Sequence, residues 1–234
     1  MGARQDRRDT LRHLGQRMRL ATICVAQPTF VRDGKEMVRT GIFKQPVAGP
    51  VRAGRTNLEG DGQADLENHG GEHMAVYAYS ADHYAWWREQ LGRDDLAHGS
   101  FGENLTIEGL DESQVFLGDE WRIGGARFAV TQPRVPCFKL GLRLGDPKVP
   151  KQFAKSLRTG CYLMVLEEGA VEAGDEVEPV RRGRRGIRID RLFEALILSK
   201  ERDTRGILAS ALEEECLSPA WRAGIRAKLD GREG

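Results

Sequence analysis

The sequence predicts a mainly β (α+β) chain: a closed or partly closed β-barrel, followed by a small C-terminal three-helix bundle. Short β-type runs separated by glycine-rich turns fill residues 19–180, which favours a barrel over a parallel α/β sheet. The character changes at the arginine-rich stretch RRGRRGIRIDR, 181–191. Beyond it, apolar residues recur at helical spacing as far as residue 231.

The expected strands begin with LATICVAQPTFV and KEMVRTGIFKQPV, which flank RDGK (32–35). Asp33-Gly34 in that turn is a hairpin signal. Further strands are expected in 72–80, 100–109, 119–133, 160–169 and 174–180. Two helices interrupt them. SADHYAWWREQLG (80–92) has Ser80 as its cap and Tyr84, Trp87 and Leu91 on one face. PKQFAKSLRTG (150–160) starts on Pro150 and stops at Gly160. The terminal helices are expected over 191–200, over 203–215 with Asp203 as cap, and over 218–231. The last has Ser218 as cap, Pro219 in its first turn and Gly231 as its stop. The implied division is a disordered or mis-assigned start over 1–18, a barrel domain over 19–180, a hinge or solvated linker over 181–190 and a three-helix domain over 191–231. A bundle of that size is marginal alone and is expected to dock on the barrel.

The bulk properties exclude several classes. The 234 residues carry a formal net charge of +1, so no global field steers the chain to nucleic acid or to an anionic membrane. The apolar runs LFEALIL and CYLMVL fall well short of the ~20 residues of a bilayer span. The first twenty residues hold six arginines but also two aspartates, and a transit peptide is acid-poor. Four dispersed cysteines, 24, 137, 161 and 216, form no C-x-x-C pair and read as reduced cytoplasmic thiols.

Chemistry concentrates in TQPRVPCFKL, 131–140. Pro133 and Pro136 stiffen the approach to Cys137, and Arg134 and Lys139 place cations on either side of it. Nearby cations favour the thiolate, the form that ligates a soft metal or attacks a substrate. Cys24, Cys161 and Cys216 sit in apolar patterns and read as packing. HGGEH (69–73) spaces two histidines four apart, but Gly70 and Gly71 argue against the helix that a zinc pair needs. Those glycines instead suit close backbone approach to a ligand.

Taken together, SFGENL (100–105), LGDEWRIGGARFAVTQPRVPC (117–137), GCYLMVLEEGAVEAGDEVE (160–178) and NHGGEHMAVYAYS (68–80) resemble the MOSC domain, the C-terminal domain type of molybdenum cofactor sulfurases. GIFKQPVAGPVRAG, EGDGQADLENHGG and the helical tail narrow the resemblance to the YiiM-type subgroup. It implies a barrel whose mouth binds the molybdenum cofactor, Mo-molybdopterin, with Cys137 as the molybdenum ligand and catalytic residue. It implies reduction of N-hydroxylated compounds such as hydroxylaminopurine-type base analogues, hydroxylamines and amidoximes.

Molybdopterin carries a phosphate and a polar fused ring, so its pocket calls for cations and oriented amides. Lys44 matches a lysine that relatives place on the cofactor, and Arg134 suits its phosphate or the thiolate. Asn104 of GENL either bonds the ligand or locks a turn. Tyr162 matches an aromatic near the cofactor of related reducers, or is a half-buried strand residue. His69 either bonds the ligand or braces the loop, helped by Asp61, Gln63 or Asp65. The chain has no flavin, nicotinamide or iron–sulfur motif, so the resemblance implies an external electron donor, a flavoprotein reductase or an iron–sulfur protein. A homodimer through the helical tail is a further expectation, and specific nucleic-acid binding through 181–191 is not expected. The alternative is a non-catalytic module that carries molybdopterin, or carries sulfur on Cys137.

Overall fold

The computed structural model describes residues 17–64, 70–199 and 204–231. The strands among them are β1 (Met18–Val25), β2 (Thr29–Asp33), β3 (Glu36–Thr40), β4 (Gln45–Val47), β5 (Val51–Ala53), β6 (Val76–Ser80), β7 (Leu105–Glu108), β8 (Glu120–Ile123), β9 (Ala126–Pro133), β10 (Cys161–Glu167), β11 (Gly169–Val171) and β12 (Glu176–Arg181). Seven of them lie in the order β12-β8-β9-β10-β6-β7-β1, and Met18↔Val177 and Arg19↔Glu176 close the ring. The β6–β7 pair is parallel. β4 extends β1 at Ile23–Val25, while β5–β11 and β2–β3 form separate two-stranded sheets.

Strand alternation sorts the side chains. In β6, Val76 and Ala78 join Leu20, Ile23, Phe128, Val130, Leu163 and Val165 in the packed interior. Tyr77 and Tyr79 point the other way, into an aromatic layer with Tyr84, Trp87, Phe101 and Phe153. Three helices cover that layer: α1 (His83–Leu91), α2 (Phe138–Leu144) and α3 (Val149–Ser156). A small barrel leaves room inside for side chains only. The Trp87 indole donates to the Tyr79 hydroxyl at 2.7 Å, so the deepest ring of the layer keeps a polar partner.

Several expectations are corrected. The strand expected over KEMVRTGIFKQPV breaks at residues 41–44, and the expected 119–133 strand folds back as the β8–β9 hairpin. Ser80 does not cap α1; it ends β6, buried, and the helix begins three residues later behind Asp82. Helix α2 was hidden by Gly141, whose absent side chain lets the chain double back: a Cβ there would stand 3.0 Å from the Asp146 carbonyl and 3.1 Å from Pro147. Ser218 does cap its helix, accepting from the Trp221 N–H at 3.3 Å, and Gly231 follows with φ +72°.

Residues 181–190 do not form a solvated hinge, because acids on the barrel and the helices claim the arginines. Arg181 pairs with Glu120. Arg182 lies 4.1 Å over the Phe116 ring and donates to the Gln114 carbonyl at 2.9 Å. Arg185 reaches Glu213 at 2.5 Å and Arg188 reaches Asp190 at 2.5 Å. The Gly183 N–H donates to Asp119 at 2.9 Å, against a stretch so close that a Cβ would meet the Leu117 carbonyl at 1.9 Å. The chain then enters α4 (Ile189–Phe193), a π-helical turn over Glu194–Leu198, α5 (Arg205–Ala211) and α6 (Pro219–Leu229). Leu117 from the barrel shares one core with Leu192, Phe193, Leu208, Trp221 and Ile225. That shared core docks the helices. The expected Asp203 cap lies outside the described residues.

Gly160, at the entry to β10, has φ +63°, and a Cβ there would stand 2.3 Å from the Ala78 carbonyl. We therefore expect Gly160→Ala to cost about 3 kcal/mol, from left-handed strain plus overpacking, measured by urea denaturation. An unchanged midpoint would rule out this close approach.

Candidate functional site

Where the long strand breaks, the chain contributes Gly41, Ile42 and Lys44 to one side of a cleft. Asp61, Gly62 and Gln63 come from the loop after β5, Ala75 and Tyr77 from β6 and its lead-in, and Arg134, Val135, Cys137 and Lys139 from the segment between β9 and α2. Asn104 and Tyr162 complete the wall, and the cleft encloses about 710 Å³ including its open mouth. Tyr77 and Tyr162 belong to the outward row of side chains, so the cleft lies against the outer side of β6 and β10. The barrel interior itself is filled with apolar side chains.

Asp61 organises the floor. Its Oδ1 accepts from the Ala26 N–H at 2.8 Å and from the Lys44 ammonium. Its Oδ2 accepts from Asn104 Nδ2 at 2.8 Å. Burial lowers the Lys44 value, against the attraction of Asp61. Asn104 is fully engaged: Nδ2 also donates to the Cys24 carbonyl at 3.2 Å, and Oδ1 accepts from the Tyr77 N–H at 3.0 Å. Its role here is to lock β1, β6 and the Asp61 loop together.

Arg134 is held from a second direction. Its guanidinium is buried, donates to the Phe101 carbonyl and lies 4.7 Å over the Tyr77 ring. The turn carrying that carbonyl is fixed by Glu103, fully buried, which accepts from the Gly99 N–H at 2.7 Å, the Phe101 N–H at 3.2 Å, Thr106 Oγ1 at 2.9 Å and the Tyr84 hydroxyl. A register shift between Tyr162 and Leu163 leaves Thr131 unpaired in β9. The Thr131 hydroxyl donates to the His73 carbonyl at 2.6 Å and the Tyr162 carbonyl at 3.1 Å. Such a bulge re-aims the strand, here toward Arg134 and Cys137.

Cys137 is half-buried at the first position before α2. Its sulfur acts electrostatically on both Arg134 and Tyr162. Burial raises the Tyr162 phenol, opposed by Arg134, and the Tyr162 and Tyr77 ring centres are 5.2 Å apart. The other cysteines are of a different kind: burial pushes the thiols of Cys24 and Cys216 up to about 12, and that of Cys161 well above its usual value.

Thus Lys44, Asn104, Arg134, Cys137 and Tyr162 meet in one cleft. Gly71 stands behind it, its N–H donating to Gln63 Oε1 at 2.8 Å, and Gly70 is its neighbour. The expected ligand approach by these amides is replaced, at Gly71, by this brace. His69 and Asp65 lie outside the described residues. Tyr77 and Glu103 were not marked by the reading of the sequence; the bracing expected of Asp61, Gln63 or Asp65 falls to Gln63 at Gly71, while Asp61 holds Ala26, Lys44 and Asn104. The alternation of VYAYS carried a signal for Tyr77; single acids carried none.

Among the described residues, Lys44, Arg134 and Lys139 line the cleft with the Asp61 carboxylate and the Cys137 thiol. A thiol beside cationic and aromatic side chains has the chemistry to take a planar anionic group carrying a soft metal. Asp61→Ala leaves the Lys44 ammonium buried without its partner and is expected to cost about 3 kcal/mol, read from denaturation. At pH 8, a disulfide dye is expected to modify one thiol per native chain, and none in Cys137→Ser. Rapid modification of a second thiol would remove the distinction among the cysteines.

Comparison with known proteins bears on the fold and the family. The MOSC domain family model matches residues 65–178. YflK of Bacillus subtilis (strain 168), an uncharacterized protein, is 42% identical over 202 residues, covering 86% of this chain and 90% of its own. A protein named Reductase from Gibberella moniliformis is 35% identical over 148 residues, which is 62% of this chain but 26% of that protein. The crystal structure of YiiM from Geobacillus stearothermophilus superposes with a TM-score of 0.76 at 34% identity, covering 91% of this chain and 99% of that one. The chain belongs to the MOSC-domain family, in its YiiM-type branch.

Proposed function

We propose that the chain is a molybdenum-cofactor-dependent reductase of N-hydroxylated compounds: hydroxylaminopurine-type base analogues, hydroxylamines and amidoximes. One observation carries the reading. Of the four cysteines, Cys137 is the one that lines the cleft, beside Arg134 and Lys139. The matching segment of the Gibberella protein named Reductase supports an oxidoreductase.

The overall reaction is R–NH–OH + 2 e⁻ + 2 H⁺ → R–NH₂ + H₂O, in which the N–O bond breaks and the oxygen leaves as water. The bound cofactor supplies the two-electron chemistry. The chain's own residues do the rest. The Cys137 thiolate holds the metal, and Lys44 and Arg134 hold negative charge on the ligand. Asp61 and Glu103 fix those cations so that they need no reorganisation on binding. Tyr77 and Tyr162 give the cleft an aromatic side. The open mouth admits the substrate and its protons from water.

Full-length chain made in a host that synthesises the cofactor is expected to contain molybdenum and pterin and to reduce hydroxylaminopurine with a chemical electron donor. Cys137→Ser is expected to stay folded and lose molybdenum, with turnover down by more than about 100-fold, beyond what outer contacts alone give. Bound pterin with no turnover of any N-hydroxylated compound would favour the carrier reading instead.

A further inference from the structure

Among the described residues, Phe30, Phe138 and Met37 are the most exposed large apolar side chains, at 64%, 56% and 55%. Phe30 and Met37 lie on the separate β2–β3 hairpin. Its register pairs Phe30 with Arg39 and Arg32 with Met37, and directly opposed residues of an antiparallel pair share a face. One face therefore carries a checkerboard of two apolar and two guanidinium side chains. The carboxylates of Asp33 and Glu36 fall on the other face, with Val31 and Val38, so the checkerboard has no internal counter-charge.

This face joins the cleft. β3 runs straight into Thr40, Gly41 and Ile42, which line it, and Arg39 donates to the carbonyl of Ala64, another lining residue, at 3.3 Å. A two-stranded hairpin is marginal alone, and this one presents two large apolar side chains and two guanidinium groups on one exposed face.

We infer that the Phe30–Arg32–Met37–Arg39 face of the hairpin is the docking site of an acidic electron-donor protein. The inference rests on the reductase reading above. That reaction consumes two electrons per N–O bond, and no flavin or iron–sulfur motif occurs in the sequence. Two one-electron donors, each oxidised once, balance it. Arg32 and Arg39 complement an acidic rim, and Phe30 and Met37 supply the apolar contact. Small, charge-steered contacts of this kind suit a transient redox encounter. Nucleic acid is disfavoured, since two cations neutralise too few phosphates for firm binding.

The test compares the cofactor-loaded full chain with the Phe30→Ala/Met37→Ala and Arg32→Glu variants, using two donors, reduced methyl viologen and a reduced acidic [2Fe–2S] ferredoxin. With viologen the variants are expected to match the parent. With ferredoxin their KM is expected to rise about tenfold or more at unchanged kcat, and the parent's KM to rise with salt. Equal ferredoxin KM values in parent and variants overturn the proposal, as does viologen-only turnover by the parent. So does a parent dimer that the variants convert to monomer, which would make a second copy the occupant, or DNA retention that the variants abolish. Failure with both donors removes the reductase reading itself.

Discussion

The Asp61 carboxylate is the constraint on which the cleft depends. It is buried, it is ionically paired with a buried lysine, and its remaining oxygen positions are filled by an amide and a backbone N–H. In a low-dielectric setting such a group is stable only when every partner is in place. Ala26, Lys44 and Asn104 come from the β1 end, the break before β4 and the turn before β7. Satisfying one carboxylate thus fixes three otherwise independent segments relative to one another.

Glu103 repeats the device on the opposite wall. It spends its oxygens on two backbone N–H groups and two hydroxyls, and it delivers to Arg134 a carbonyl rather than a countercharge. The two cations are therefore held differently. Lys44 is ion-paired with Asp61, whereas Arg134 is held, among the described residues, by the Phe101 carbonyl and the face of Tyr77.

The sequence made some of this legible and hid the rest for identifiable reasons. The barrel showed in its alternation and turn glycines, because those patterns are local. Cys137 stood out because prolines and cations surround it within a few residues. Asn104 was flagged, but its part in bracing follows from contacts with Cys24 and Asp61, 80 and 43 residues away. Asp61 and Glu103 look like any surface acid until the fold buries them. The arginine run misled for the same reason, since Asp119 and Glu120 lie some sixty positions upstream of the residues they hold. Helix α2 was masked by a glycine whose purpose is to admit a neighbouring turn.

The ring of strands is sealed by its first and last members, Met18 against Val177. A chain emerging from the ribosome keeps the edge of β1 unzipped until nearly all of the barrel has been made, and contacts this distant in sequence form slowly. The cleft borrows residues from 40 to 162, so no shorter nascent fragment owns a complete one. A ligand that needs every wall of the cleft therefore finds them only after residue 162 has been made.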